Sequence, residues 1–178
     1  MRIVSLPESW RGRALIVSAV DRAESWFSEE ELALARSFRL EKRRNEWMLS
    51  RIAEKELRRL GAAGDCVSFS HSGAYGGAAV GSQPVGIDVE ALRDLRESAA
   101  HFFLTDDEIE VMESCTIPKR LLHFWCAKEA LWKQRGGVTP TLKRIPLRLQ
   151  SEIAGGLRFE GVDTFAGEVV AALTRPIS

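Results

Sequence analysis

Gly86-Ile87-Asp88-Val89-Glu90 is the stretch from which the rest of this chain is read. Its two β-branched residues suit a short strand, and side chains on a strand alternate between faces with period two. Asp88 and Glu90 then share one face while Ile87 and Val89 take the other. Two carboxylates side by side on a largely apolar strand repel each other and are costly to bury. A hard dication removes that cost, and magnesium takes a few carboxylate oxygens while keeping water or substrate phosphate in its shell. A solvated edge carrying two ordinary acids explains the same pattern.

Outward from this strand, Trp125-Cys126-Ala127-Lys128-Glu129-Ala130-Leu131-Trp132-Lys133 reads as helix. At helical spacing Trp125, Lys128, Glu129 and Lys133 lie near one another, a third carboxylate flanked by two ammonium groups. A plain i,i+4 ion pair from Glu129 to Lys133 on an exposed face is the simpler alternative. Upstream, Ser70-His71-Ser72-Gly73 follows the strand residues Val67 to Phe69. A histidine and free N–H groups at such a junction suit a phosphate oxygen, as against a structural histidine. A serine hydrolase is disfavoured because no G-x-S-x-G elbow is present. Lys42, Arg43, Arg44 and Arg51 form a basic set that suits bidentate contact to an anion, or a solvated helical face.

The remaining chain reads as short strands and capped helices. Ile3 to Val4 and Ala14 to Val20 suit strands, as do Gly77 to Val80 and Val85 to Val89. Ser28-Glu29-Glu30-Glu31 and Thr105-Asp106-Asp107-Glu108 are capping boxes. The first opens a helical run to Gly61, which the cluster Lys42 to Asn45 divides in two. The second opens a run broken at Pro118 and ended by Gly136-Gly137. Ile145 to Leu149, Leu157 to Phe159 and Val169 to Leu173 complete the strands. The fold class is α+β, with two similarly built halves over 1–86 and 87–178, the latter carrying the acidic motifs.

Composition excludes several classes. The 178 residues are 45% hydrophobic and 28% charged, the balance of a globular protein. Lys+Arg and Asp+Glu both number 25, so no whole-molecule attraction to nucleic acid or an anionic membrane exists. No apolar stretch is long enough to span a bilayer, and the N-terminus does not read as a signal peptide. Cys66, Cys115 and Cys126 are odd in number without C-x-x-C spacing, which fits reduced thiols and a cytoplasmic location. No Walker-type glycine loop supports a nucleotide hydrolase.

Taken in order, Ser-His-Ser, G-I-D-V-E and W-C-A-K-E-A-L-W-K resemble the phosphopantetheinyl transferase superfamily. Its two signature motifs read roughly G-[IV]-D-[IVL]-E and [FW]-x-x-K-E-[AS]-x-x-K. The likeness runs from Arg43 to Lys133 and looks like the monomeric, surfactin-synthetase-type branch, whose two α+β halves form an internal pseudo-dimer with the site between them. It implies transfer of 4'-phosphopantetheine from coenzyme A to a serine of an apo acyl or peptidyl carrier protein, releasing 3',5'-ADP. By motif, Asp88, Glu90 and Glu129 are the implied Mg2+ ligands. His71 and Lys133 are implied contacts to the diphosphate, with Lys128 close by. Arg44 and Arg51 are implied to hold the 3'-phosphate. Phe103 to Glu108 resembles the family's F-F-x-x-x-E region, which makes Glu108 the implied acceptor of the serine proton beside Glu129 and Lys133. Arg93, Arg96, Lys119 and Arg120 are candidates for the surface that meets an acidic carrier helix. The chain departs from the branch at Gly61-Ala62-Ala63-Gly64-Asp65-Cys66, where a G-[KR]-P motif is usual. That departure motivates an alternative, a degenerate relative that binds a carrier or nucleotide without catalysis.

Overall fold

The computed structural model describes residues 1–176, so positions 177–178 of the expected second half lie outside it. Among the described residues, nine strands and five α-helices make an α+β fold with two antiparallel sheets. The first sheet runs β1 (Arg2–Ile3), β2 (Ala14–Ser18), β4 (Tyr75–Gly81), β3 (Cys66–Ser72). The second runs β5 (Ile87–Ala91), β9 (Val169–Thr174), β8 (Val162–Ala166), β7 (Gly156–Phe159), β6 (Leu149–Ile153). The helices are α1 (Glu29–Ser37), α2 (Glu41–Arg59), α3 (Ala100–Phe103), α4 (Asp106–Ser114) and α5 (Arg120–Gln134).

Period-two alternation sorts the strand residues into layers. Leu15 and Val17 of β2, with Ala78 and Val80 of β4, pack on Ile52, Ala53 and Leu57 of α2. Ala14, Ile16 and Ala79 turn the other way and meet Ile87, Val89, Ala171 and Leu173 of the second sheet. Val170 and Ala172 point outward again, onto Cys126, Ala127 and Ala130 of α5. The order is therefore α2, first sheet, second sheet, α5.

Each long helix lies on its sheet at a glycine. A Cβ on Gly76 of β4 would sit 2.4 Å from the Leu49 backbone of α2. A Cβ on Gly86, the first residue of the acidic motif, would sit 1.8 Å from the Ala130 carbonyl oxygen of α5. The glycine of G-I-D-V-E is thus a packing requirement: only a bare backbone lets α5 come close enough to lie along β5.

Between the sheets, two edge strands abut. The hydroxyls of Ser68 and Ser70 on β3 accept from the backbone N–H groups of Ile87 and Val89 on β5, each at 3.1 Å. Ser70 Oγ donates onward to Asp88 Oδ1 at 2.9 Å, and Ser72 Oγ to Glu90 Oε2 at 2.8 Å. A ladder of serine side chains joins the sheets in place of backbone pairing.

Both capping boxes form, Ser28 with Glu31 and Thr105 with Glu108. The first helical run breaks at Phe38–Leu40, so Lys42 to Asn45 open α2 instead of interrupting it. Ser70-His71-Ser72 belongs to β3, and the turn comes at Gly73-Ala74. The strand expected over Ile145 to Leu149 is instead a 3-10 turn (Leu142–Arg144) and an extended link into β6. That link runs past Glu108, which accepts from Leu147 N at 2.9 Å. Strand β8 had no expectation, because its run Val-Asp-Thr-Phe-Ala places polar residues at buried positions.

His123 of α5 is buried against Thr164 of β8, Nδ1 to Oγ1 at 2.7 Å, with Nε2 lacking a partner among the described residues. Burial pushes its pKa from 6.5 down to about 4. The unfolded chain therefore takes up this proton first as pH falls below 6.5, and stability is lost progressively down to about pH 4. Urea denaturation across that window should show the wild type losing about 3 kcal/mol more than His123→Leu. Gly86→Ala should cost about 3 kcal/mol or more by the same measurement, because backbone on both sides must move.

Candidate active site

Asp88 and Glu90 lie on the face of β5 turned away from the first sheet, toward α5. Residues 125, 129 and 133 of α5, four apart, run along the same side. Trp125 Nε1 donates to Glu90 Oε1 at 3.2 Å, and Lys133 Nζ donates to Asp88 Oδ1 at 2.7 Å and to Ile87 O at 3.1 Å. Glu129 sits on the helix midway between these contacts. Asp88 and Glu90 of one motif and Trp125, Glu129 and Lys133 of the other are thus brought together by one strand and one helix, and the glycine contact sets their spacing.

The three carboxylates are not equally satisfied. Both oxygens of Glu90 accept hydrogen bonds, and Arg93 Nη2 stands 3.2 Å from Oε2. Asp88 is 5% exposed; its Oδ1 accepts twice, while Oδ2 is buried with no donor. Glu129 is half-buried and makes no hydrogen bond or ion pair among the described residues. Burial, then Asp88, then Glu90 push its carboxyl pKa up, against the pull of Lys133. The i,i+4 ion pair from Glu129 to Lys133 does not form, because Lys133 goes to Asp88. Burial and the same two acids push the Cys126 thiol well above its ordinary value, which leaves it unreactive. Among the described residues, no group of three or more His, Cys, Asp or Glu is placed so that it could hold a metal ion.

His71 lies on the opposite face of β3 from Ser70 and Ser72, toward α2. It lines a cavity of about 370 Å³ with Phe38, Arg43, Trp47, Arg51 and Phe69. The Arg51 guanidinium lies 3.8 Å from the centroid of the Phe69 ring. Arg44 is not in this cavity; it lines another, of about 460 Å³, with Asn45, Met48 and Leu49 of α2. The structure therefore gives Arg44 and Arg51 separate cavities, although seven residues of helix leave both near one side of α2, two turns apart.

Glu108 and Lys128 meet each other, away from the acidic group. Lys128 is fully buried, and its Nζ donates to both Glu108 oxygens, at 2.8 and 2.7 Å, and to Ile145 O at 2.6 Å. Glu108 also accepts from Thr105 N and Leu147 N. This corrects the roles implied for both. A carboxylate with four donors on its two oxygens has no lone pair free for a substrate proton, and a fully buried ammonium cannot touch a cofactor. Together they fasten α4, α5 and the link before β6. Arg93, Lys119 and Arg120 pair with Glu90, Asp94 and Glu97, so three of the four cations considered for a carrier surface are already matched.

Sequence reasoning missed Glu46. It is buried in α2 and gathers Lys42, Arg43 and His71 Nδ1 at 3.7, 3.3 and 3.5 Å. Its i,i+3 and i,i+4 spacing to the basic cluster was the available signal.

Removing one partner of a buried ion pair leaves an uncompensated charge, so Lys128→Met should lower stability by about 3–5 kcal/mol. Glu129→Gln removes a charge from a like-charged field. In metal-free buffer it should be neutral or stabilising, and urea midpoints distinguish the two.

Residues 84–170 match the model of the 4'-phosphopantetheinyl transferase superfamily. No curated protein matches the chain. The matched range contains Asp88, Glu90, Glu129 and Lys133 and ends within β9; His71, Arg44 and Arg51 lie before it. Over Pro84 to Val170, just under half of the chain, the sequence is thus similar to the 4'-phosphopantetheinyl transferase superfamily.

Proposed function

We propose that this protein moves the 4'-phosphopantetheine group of coenzyme A onto a serine of an apo acyl or peptidyl carrier protein. In this reading it is a Mg2+-dependent, monomeric cytoplasmic enzyme of the two-halved, surfactin-synthetase-type branch. The observation that carries the reading is the pair of unsatisfied carboxylates inside the matched domain, the bare buried Oδ2 of Asp88 and the unpartnered Glu129. Natural folds rarely leave such groups without a ligand.

The chemistry of the donors suits the ion. Carboxylate oxygens are the ligands magnesium prefers, and it commonly takes only a few from protein while substrate phosphate and water complete the shell. Asp88, Glu90 and Glu129 would hold it, and it would supply charge neutralisation at the diphosphate. Ser70 and Ser72 hold Asp88 and Glu90 in place through their hydroxyls. Lys133, tethered to the Ile87 carbonyl, places an ammonium at the border of the acids, where it offsets negative charge on the departing phosphate. On the other flank of β3, Arg43 and Arg51 keep guanidinium N–H groups beyond their contacts to Glu46 and Glu54, and with His71 they line an aromatic-walled cavity suited to the phosphorylated nucleoside end of coenzyme A. It stands in for the missing G-[KR]-P motif. Arg44, which lines a separate cavity, is given no part in it.

In the reaction the carrier serine oxygen bonds to the β-phosphorus of coenzyme A. The bridging P–O bond breaks, and 3',5'-ADP leaves with the electron pair. The serine proton passes to a site carboxylate or to water. With both of its oxygens occupied by structural donors, Glu108 is not that acceptor.

Intact-mass spectrometry of apo carrier proteins incubated with coenzyme A, Mg2+ and the enzyme should show a gain of one phosphopantetheine. Asp88→Asn and Glu129→Gln should each slow transfer by about 100-fold or more with urea midpoints retained. No mass gain across fatty-acid, polyketide and peptide carriers would sink the assignment.

A further inference from the structure

At the opposite end of the sheet junction from the acids, the chain crosses from β4 to β5 through Ser82-Gln83-Pro84. A cavity of about 360 Å³ opens there, between Arg13 at the head of β2 and Arg175 just past β9. Its volume falls within the range of about 300–1,000 Å³ usual for small-molecule sites.

Arg13 is half-buried, and its Nη2 donates to Thr174 O at 2.7 Å. Arg175 is half-buried as well, and its Nη2 donates to Phe159 O and, at 3.1 Å, to Gln150 Oε1. Among the described residues neither guanidinium pairs with a carboxylate, and each uses only Nη2. A guanidinium carries five N–H donors, so both keep Nε and Nη1 unengaged. The acid nearest in effect to Arg13 is Asp163, which is held by Arg158 Nε at 3.1 Å. Burial depresses the Arg13 pKa against the pull of Asp163, the sign of a cation whose counter-charge is incomplete. Elsewhere among the described residues, the buried or half-buried cations, Lys133 at 2.7 Å and Arg44 at 3.9 Å among them, have a carboxylate within ion-pair reach. Arg13 and Arg175, which line one cavity, have none.

We propose that this cavity is a second anion site, separate from the transferase centre, which takes the phosphate group of a small phosphorylated molecule or free phosphate between Arg13 and Arg175. Planar guanidinium forks match phosphate oxygens in pairs. Arg13 belongs to the first sheet and Arg175 follows the second, so a bound phosphate ties the halves together across the crossover and resists their separation on unfolding.

The test is thermal unfolding of the full chain, titrated with inorganic phosphate and, in parallel, with adenosine 5'-monophosphate, at ionic strength held constant with chloride. A saturable rise in midpoint is expected. The titrations are made on Arg51→Gln, which removes the cavity given to coenzyme A; there the apparent affinity should fall by about tenfold or more on adding Arg13→Gln or Arg175→Gln. In that background, nucleotide binding at least tenfold tighter than phosphate assigns an organic phosphate as ligand, and equal binding assigns the free ion; both support the site. A flat response to both anions in Arg51→Gln overturns it. So does a rise that survives when Arg175→Gln is added. Should Arg13→Gln fail to fold, Arg175→Gln decides. Carrier-protein modification is read separately, so its absence would remove the transferase reading and leave this one standing.

Discussion

The serine ladder between β3 and β5 is the interaction on which the rest depends. Ordinary backbone pairing would have fused the two sheets into one and spent the outward N–H groups of β5 on carbonyls. A hydroxyl both accepts and donates, so each serine satisfies an edge N–H or a carboxylate, and Ser70 does both. Because the ladder recurs every second residue, it uses one face of β3 only. The other face remains available to α2, which is where His71 and Phe69 go. One strand thus serves a cationic cavity on one side and braces the acids on the other.

The second constraint is close helix approach. Gly76 under α2 and Gly86 under α5 are the points at which each helix touches backbone on its sheet. With α5 fixed at Gly86, Trp125, Glu129 and Lys133 run along β5 and meet Glu90 and Asp88. The buried Glu108–Lys128 pair then fixes the far side of the same helix against α4. The acidic group is thus built on rigid elements, and its electrostatic tension is held by packing on both sides of α5. That arrangement suits a site whose charges are completed only when a cation and a diphosphate enter.

Much of this was legible in the sequence because it rests on local rules. Both capping boxes, the period-two placement of Asp88 and Glu90, and the four-residue spacing of Trp125, Glu129 and Lys133 follow from chain geometry alone. The α+β class followed from the alternation of strand and capped helical runs. What was not legible depends on distant partners. Nothing local distinguishes Lys128, fully buried on Glu108, from Lys133, which reaches Asp88; their neighbours come from α4 and β5. The separation of Arg44 from Arg51 depends on how α2 rests on the first sheet, and seven residues of helix place both near one side. Ser70 and Ser72 read only as small hydroxyl residues beside a phosphate-binding histidine, and the neighbouring strand reveals them as supports for carboxylates. β8 escaped notice because Asp163 and Thr164 are polar yet buried, satisfied by Arg158 and His123.

The abutment of β3 on β5 also governs how the protein behaves toward its own copies. Each sheet has two borders, and the ladder turns one border of each inward, where no second chain can add a strand. The two left open are poor templates. β1 is only two residues long, and β6 carries a register irregularity between Leu149 and Ser151 and a charged Glu152. Short, bulged and charged borders discourage intermolecular strand addition. The hydroxyls that brace the acids thus also protect the fold from stacking into fibrils.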